Sequence, residues 1–348
     1  MLGGPWGTTI ARWRREGLPE DVDFADYFGL DRREFIPVSM GPVPAFEYEV
    51  LEEDDRYLIY RESATGTVRK ALKEGTVGGT RPSMDQFLSW AVETPGDFET
   101  IKERYDASSP ERQPADLSDK ISEWKDRDCP LCLHGNGCFG FYSNARRWMG
   151  TENLSMAFYD HPTMVHAMMD FLVDFFIEAN RPTLEMITPD YFNFFEDFAY
   201  KTGPLLSPAQ FKEFLLPRYK RVIEFLRKYG VEHIWLDSDG NTEVLIPQLL
   251  EAGVTCHWPC EIAADMDPVK LRKQYGRDLA LSGGIDKREL AKDRKAIEDE
   301  LLGKLPILLE SGGYIPTVDH VVPPDVPKDN FLYYLDLKRR IAEGRYGA

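Results

Sequence analysis

The amino-acid sequence predicts an α/β chain built on an eight-stranded parallel βα barrel, and three observations lead there. From about residue 128 onward, short apolar runs alternate with helical segments. Those runs are continuously apolar, as expected of parallel strands covered on both faces. No linker divides the 348 residues, a length that a barrel uses as one domain, and 43% of them are hydrophobic, ample for such a core.

Residues 1–127 read as an irregular elaboration and residues 128–348 as the regular repeats. In the first part "FIPVSM", "AFEYEVLEE" and "DRYLIYRES" predict short strands, because apolar and aromatic residues cluster between turn residues. "DQFLSWAVETPGDFETIKERY" predicts two helices around a Pro-Gly turn. "CPLCLHG" then predicts a buried strand, "NARRWMG" a helix, the stretch after Asp160 a long helix with one apolar face, and "DYFNFF" a strand. In "SPAQFKEFLLPRYKRVIEFLRKYG", Ser207 caps a helix, Pro208 takes its first position and Gln210 completes a capping box. Pro217 predicts a kink and Gly230 a stop. Strands "HIWL", "TCHW", "LALSG" and "YIPT" follow, separated by helices "TEVLIPQLLEAG", "PVKLRKQYG" and "DRKAIEDELLGKLPILLESGG" and closed by "KDNFLYYLDLKRRIAEG".

The charge and the cysteines narrow the function classes. Forty-two basic against 59 acidic residues leave −17, a surface that repels phosphate backbones and anionic membranes, so neither nucleic acid nor membrane is an expected partner. No apolar run is long enough to span a bilayer and the opening stretch lacks a signal-peptide core, which makes the cytoplasm the expected location. Five cysteines, an odd set in a large chain, argue against a disulfide scaffold.

Barrel enzymes build their sites from the loops after the strands. Here those are "HGNGC", "EDFAYK", "DSDGN", "PCE", "GGID" and "TVDHVVPPD". Asp237 and Asp239, two apart at a strand end, point to one side. Either Asp239 caps a helix starting near Asn241, or the two acids serve a metal or a substrate. Asp319 and His320 follow the last strand, and Asp237, Asp239 and His320 together make a His-carboxylate set able to bind a divalent ion. Cys129 and Cys132 read as small buried hydrophobes, and Cys260 as a better ligand than Cys256. His134 ends a strand and is a polar contact for substrate. His233 reads as structural, His161 and His166 as surface or packing residues, and His257 stays open. "DYFNFFEDFAYKTGP" offers Phe192, Phe194 and Tyr200 as an aromatic wall, or the phenylalanines as barrel core. Glu196 or Asp197 is its proton-handling acid. "GGID" lacks the lysine and spaced glycines of a phosphate loop.

With "EDFAYKTGPLLSPAQFKEFLLPRYKRV", "DSDGNTEVLIPQLLEAGV", "EIAADMDPVKLRKQYGRDLALSGGID" and "GGYIPTVDHVVPPDVPKDNFLYYL" in this order, the chain resembles the uroporphyrinogen decarboxylase superfamily. That superfamily includes cobalamin-dependent methyltransferases acting on methanol, methylamines and aryl methyl ethers. The resemblance implies a distorted (β/α)8 TIM-type barrel. In the methyltransferase branch a zinc site uses a His-x-Cys-Gly-Asn stretch and a later Cys; here Asp237 to Asn241 falls on the former, and Asp319 or His320 near the latter. Hard ligands thus replace soft ones, which suits an oxygen substrate better than a thiol. The decarboxylase branch's Phe-Arg-Gln-Ala-Gly-Arg-Tyr stretch is missing, and the acidic "TTIARWRREGLPEDVDFADYFGLD" stands in its region.

The resulting expectation is a methyltransferase component that demethylates a small methylated substrate, such as an aryl methyl ether, and passes the methyl to a corrinoid protein carrying cobalamin. Asp237, Asp239, His320 and Cys260 would hold a divalent metal, zinc among the options. Glu196, Asp197 and His320 would handle protons, and Phe192, Phe194, Tyr200 and His134 would meet the substrate. A decarboxylase or lyase of a small acid, or a non-catalytic tetrapyrrole-binding barrel, are the alternatives, and a homodimer is compatible with either.

Overall fold

The computed structural model describes residues 4–77, 81, 83–135 and 137–346. Among them, thirteen strands follow in chain order. These are β1 (Glu34–Ile36), β2 (Glu49–Glu53), β3 (Tyr57–Arg61), β4 (Val68–Leu72), β5 (Gln86–Ser89), β6 (Leu131–Leu133) and β7 (Tyr191–Phe195). β8 (Ala199–Tyr200), β9 (Gly203–Pro204), β10 (His233–Asp237), β11 (Cys256–Trp258), β12 (Ala280–Ser282) and β13 (Tyr314–Ile315) complete the set.

Seven of them, in the order β1-β6-β7-β10-β11-β12-β13, form one all-parallel sheet, the wall of a distorted βα barrel. The expected eighth strand is replaced by single parallel bridges, Ile285 to Val318 and Pro5 to Val322. Prolines at positions 5, 323 and 324 remove the backbone donors that a longer ladder there would use. The N-terminal helix Gly7–Arg15 packs against this closing segment, with Thr9 Oγ1 donating to the Val322 carbonyl at 2.8 Å and Trp13 Nε1 to that of Val326 at 2.9 Å.

Strands β2 to β5 make a separate antiparallel sheet. Here one expectation fails: Gln86–Ser89 is an edge strand, not a helix. Phe87 stacks on Trp90 and lies under the Arg69 guanidinium of the neighbouring strand, contacts that outweigh local helical periodicity. The Pro-Gly pair is not a turn between helices either. It opens the helix Pro95–Lys102, where Thr94 and Asp97 form a capping box. The predicted box at Ser207 and Gln210 is present, and a wide turn over Phe211–Leu215 precedes the helix Leu216–Lys228, accommodating Pro217 near its start.

The pairing register sorts the barrel side chains onto two faces. Leu131, Leu133, Phe192, Phe194, Ile234, Leu236 and Leu281 face the helices, and each is at most 1% exposed. Phe35, Cys132, Tyr191, Asn193, Phe195, Trp235, Asp237 and Trp258 occupy the alternate positions and face the lumen. Of these Phe35, Phe195 and Trp235 are only half-buried. In a barrel whose interior is filled by layers of side chains such residues would be sealed. This lumen is open.

Candidate functional site

Strand β10 ends in Asp237, and the chain turns through Ser238, Asp239 and Gly240. Gly240 has φ +77°, and a Cβ there would lie 2.7 Å from the Ala199 carbonyl, so only glycine fits the turn. The helical turn that follows starts at Glu243, whose N–H donates to Asn241 Oδ1 at 3.1 Å. Asn241, just before the N-cap Thr242, takes this first free N–H, and Asp239 is left for another partner.

That partner is His320, whose Nε2 lies 3.1 Å from Asp239 Oδ2 across 81 residues of sequence. The barrel thus gathers the loops after β10 and β13 on one rim. The hydrogen bond to Asp239 raises the His320 pKa against the opposing effect of burial, so its charged form is favoured. Asp237, one level below and 5% exposed, is pushed well above the ordinary carboxylate range by burial first and by the Asp239 charge second. A hydrogen bond with the Asn193 side chain opposes that shift without cancelling it. The rim therefore sets a buried carboxyl whose neutral form is favoured beside the Asp239–His320 pair.

Two further charged groups belong to this rim. Glu261 Oε2 accepts the Gly240 N–H at 3.2 Å, and Lys287 Nζ sits 3.4 Å from both Glu261 Oε1 and Asp319 Oδ1. Glu261 lies in "PCE", a loop flagged by the strand-end rule, and Lys287 directly follows "GGID", but neither residue stood out by type. Asp319 is fully buried and accepts the backbone N–H groups of Ile262 and Lys287 at 3.1 Å each, tying three loops together. It holds the rim's shape.

Other expected site residues lie elsewhere. Phe192 and Phe194 point away from the lumen into the helix-covered core, packing against Phe176 and Tyr219. Their neighbours Tyr191, Asn193 and Phe195 face the lumen instead. His134, at φ +69°, turns outward to Asn180, 2.5 Å away, and its pKa is lowered to about 4 by burial. Tyr200 is 62% exposed on the β8–β9 hairpin. Asn136 of the "HGNGC" loop lies outside the described residues.

Glu196 is fully buried, and its carboxylate accepts the N–H groups of Phe141 (2.5 Å) and Ser143 (3.0 Å) and the Tyr219 hydroxyl (2.7 Å). It satisfies the first turn of the helix Phe141–Met149, and burial raises its pKa to about 7. Gly140 permits this approach: a Cβ there would meet the Phe195 carbonyl oxygen at 1.9 Å. Asp197 pairs with Arg146 at 2.7 Å at the lumen's edge. Glu196→Ala is expected to destabilise the fold by about 3 kcal/mol or more, since three buried donors lose their acceptor. Urea unfolding measures this, and an unchanged midpoint would contradict the capping role.

Among the described residues no group of three or more His, Cys, Asp or Glu side chains is arranged to hold a metal ion. Cys260 is sealed in a second apolar cluster, and burial pushes its thiol up to about 12, away from the thiolate a metal needs. His320 Nε2 is taken by Asp239 at 3.1 Å. As folded, the expected set Asp237, Asp239, His320 and Cys260 is not gathered around one point.

A family model described as uroporphyrinogen decarboxylase (URO-D) matches residues 130–341, more than half of the chain. Curated proteins named uroporphyrinogen decarboxylase from Gloeobacter violaceus and Legionella pneumophila are 25% identical over 142 residues and 24% over 143. Those matches cover 39% and 40% of this chain and 38% and 39% of the relatives, so the match spans under two fifths of their length. A solved structure described as a methyltransferase from Methanosarcina mazei aligns with a TM-score of 0.58 at 16% identity. It covers 97% of this chain and 94% of that one, a likeness of fold.

Proposed function

The chain belongs to the uroporphyrinogen decarboxylase family, and from that premise we propose that it demethylates a small methyl ether, passing the methyl to a corrinoid carried by a partner protein. One observation carries the reading: Asp237, a buried carboxyl whose neutral form is favoured by burial and by the Asp239 charge, stands at the end of β10 on the lumen face, on the rim where Asp239 meets His320. A neutral acid in such a place is suited to donate a proton to a weakly basic oxygen.

The chain's own residues would act as follows. Tyr191, Trp235 and Phe195 hold the flat part of the substrate and keep water from it. Asp237 gives its proton to the ether oxygen as the methyl–oxygen bond breaks, and the bond's electron pair stays on that oxygen. The leaving group departs as a neutral alcohol or phenol, and Asp237 is left as carboxylate. The His320 imidazolium, held by Asp239, offsets the new negative charge. The partner's cobalt(I) corrinoid supplies the nucleophile that accepts the methyl group, so the barrel needs no covalent nucleophile of its own.

The fold likeness over nearly the whole chain to a protein described as a methyltransferase supports this reading. The names of the curated relatives favour a second, decarboxylation of a small carboxylic acid. Mixing the protein with a cobalt(I) corrinoid protein and a panel of methoxyarenes decides between them. The methylated-corrinoid absorbance is expected with at least one member. Release of carbon dioxide from a carboxylated panel, with no methyl transfer from any ether, would replace the first reading by the second.

A further inference from the structure

The antiparallel sheet β2 to β5 lies between β1 and β6 in the chain, before residues 130–341, the span matched by the family model. Its two faces differ. On one, Tyr60 and Ala71 are buried, at 6% and 3% exposed. On the other, the pairing register sets Glu52, Ile59, Lys70 and Gln86 in one row across all four strands. Tyr57 and Leu72, paired with each other, stand beside that row on the same face. None of these six residues is buried, and none belongs to either hydrophobic core or packs against it. This second face is an uncovered surface with an apolar middle.

The signs of charge are segregated across it. Glu52 stands on the edge strand β2. On the other side Lys70 Nζ lies over the Tyr57 ring at 4.2 Å, and the Arg56 guanidinium covers the same ring at 5.2 Å. These two cations bound a hollow of about 230 Å³, also lined by Leu72 and the 86%-exposed Met84. Their neighbours on the sheet pair off, Glu49 with Arg61 and Glu53 with Lys73. Asp54 is turned to the backbone N–H groups of Arg56 and Tyr57, at 2.7 and 2.6 Å. Glu52, Arg56 and Lys70 make no ion pair among the described residues. An acid on one side and two cations on the other are left over.

We propose that this face is the contact between two copies of the chain, packed sheet on sheet about a two-fold axis parallel to the strands. That axis lays β2 of one copy over β5 of the other and β3 over β4. Each Glu52 then comes over the basic side of the opposite sheet, within reach of Lys70 and the hollow, and the apolar middles close on each other. A two-fold axis across the strands would instead set β2 on β2, acid against acid. Two chains of net charge −17 repel one another at a distance, so a contact between them needs a face where the signs cross-match. Four strands of four or five residues make a small interface, which sets the expected association in the micromolar range. The contact is independent of the reaction proposed above.

Sedimentation velocity of the full chain from about 1 to 100 μM tests it, and a dimer is expected to form across that range. Glu52→Lys and Lys70→Glu each reverse two contacts, because the axis repeats every pair. Each is expected to weaken the dimer by about tenfold or more. Mixing the two variants should restore association, as should both substitutions on one chain, since the signs match again. Raising the salt concentration reads the same charges without any substitution and should also weaken the dimer. A monomer at every concentration overturns the proposal, and so does a dimer indifferent to salt and to both reversals. Loss in the single variants without recovery on mixing overturns the cross-match as well. A wild-type monomer in which these two residues matter only for binding an added corrinoid protein gives the face to that partner and ends the self-contact.

Discussion

Asp237→Asn is expected to slow methyl transfer by about a hundredfold to ten-thousandfold, the range that a positioned general acid contributes. The amide keeps the shape and the hydrogen-bonding contact with Asn193 but has no proton to give. Its effect on stability should have the opposite sign. A carboxyl whose pKa is raised in the folded chain stabilises it fully below the unfolded pKa of about 3.9, and that contribution is lost as pH rises through the folded value. The wild type should therefore lose stability across that window while Asp237→Asn does not, leaving the variant the more stable protein at neutral pH. Thermal melts across pH read the second effect and single-turnover kinetics the first. A variant that is both active and less stable would contradict the assignment.

Asp239→Asn should act through His320 and, by removing a neighbouring charge, through Asp237 as well. Removing the partner carboxylate removes the largest cause of the raised imidazole pKa, so the alkaline limb of the pH–activity profile moves to lower pH. Asp239 is 44% and His320 27% exposed at the side chain, and solvent screening limits the pair to about 0.5 kcal/mol of stability. That stabilisation is fully present below the unfolded imidazole pKa of about 6.5 and fades as pH rises through the raised folded value. The activity limb should move visibly while the melting temperature changes little. A pH profile superimposable on the wild type's would contradict the coupling of Asp239 to both His320 and Asp237. Imidazole titration followed by proton NMR checks the shift independently.

The parts of this site legible in the sequence are those set by topology. Continuous apolar runs give β7, β10 and β11, and the strand-end rule then brings "DSDGN" and "DH" to one rim, where Asp239 and His320 meet. What the letters left open is which face a side chain takes. Phe192 and Phe194 drew attention by type, yet one step along the strand Asn193 and Phe195 have the lumen. The register that decides this is a property of neighbouring strands, not of the segment. Glu196 stood out because a charge at a strand end is costly to bury. Its solution, the backbone of a helix some fifty residues earlier, is a contact no local pattern announces. Cys260 follows Pro259 into a second core, a direction fixed by tertiary packing. The helix expected over Gln86–Ser89 became an edge strand for the same reason, because its partners across the sheet outweigh its own periodicity.

The proposed chemistry depends on the protonation of Asp237, which carboxyl carbon-13 NMR of Asp-labelled protein measures, the resonance being assigned by its loss in Asp237→Asn. The expected result is a single carboxyl that titrates well above the ordinary aspartate value of about 3.9 and moves back toward it in Asp239→Asn. Titration in the ordinary range, indifferent to Asp239, would mean that the barrel rim offers no acid to a leaving oxygen.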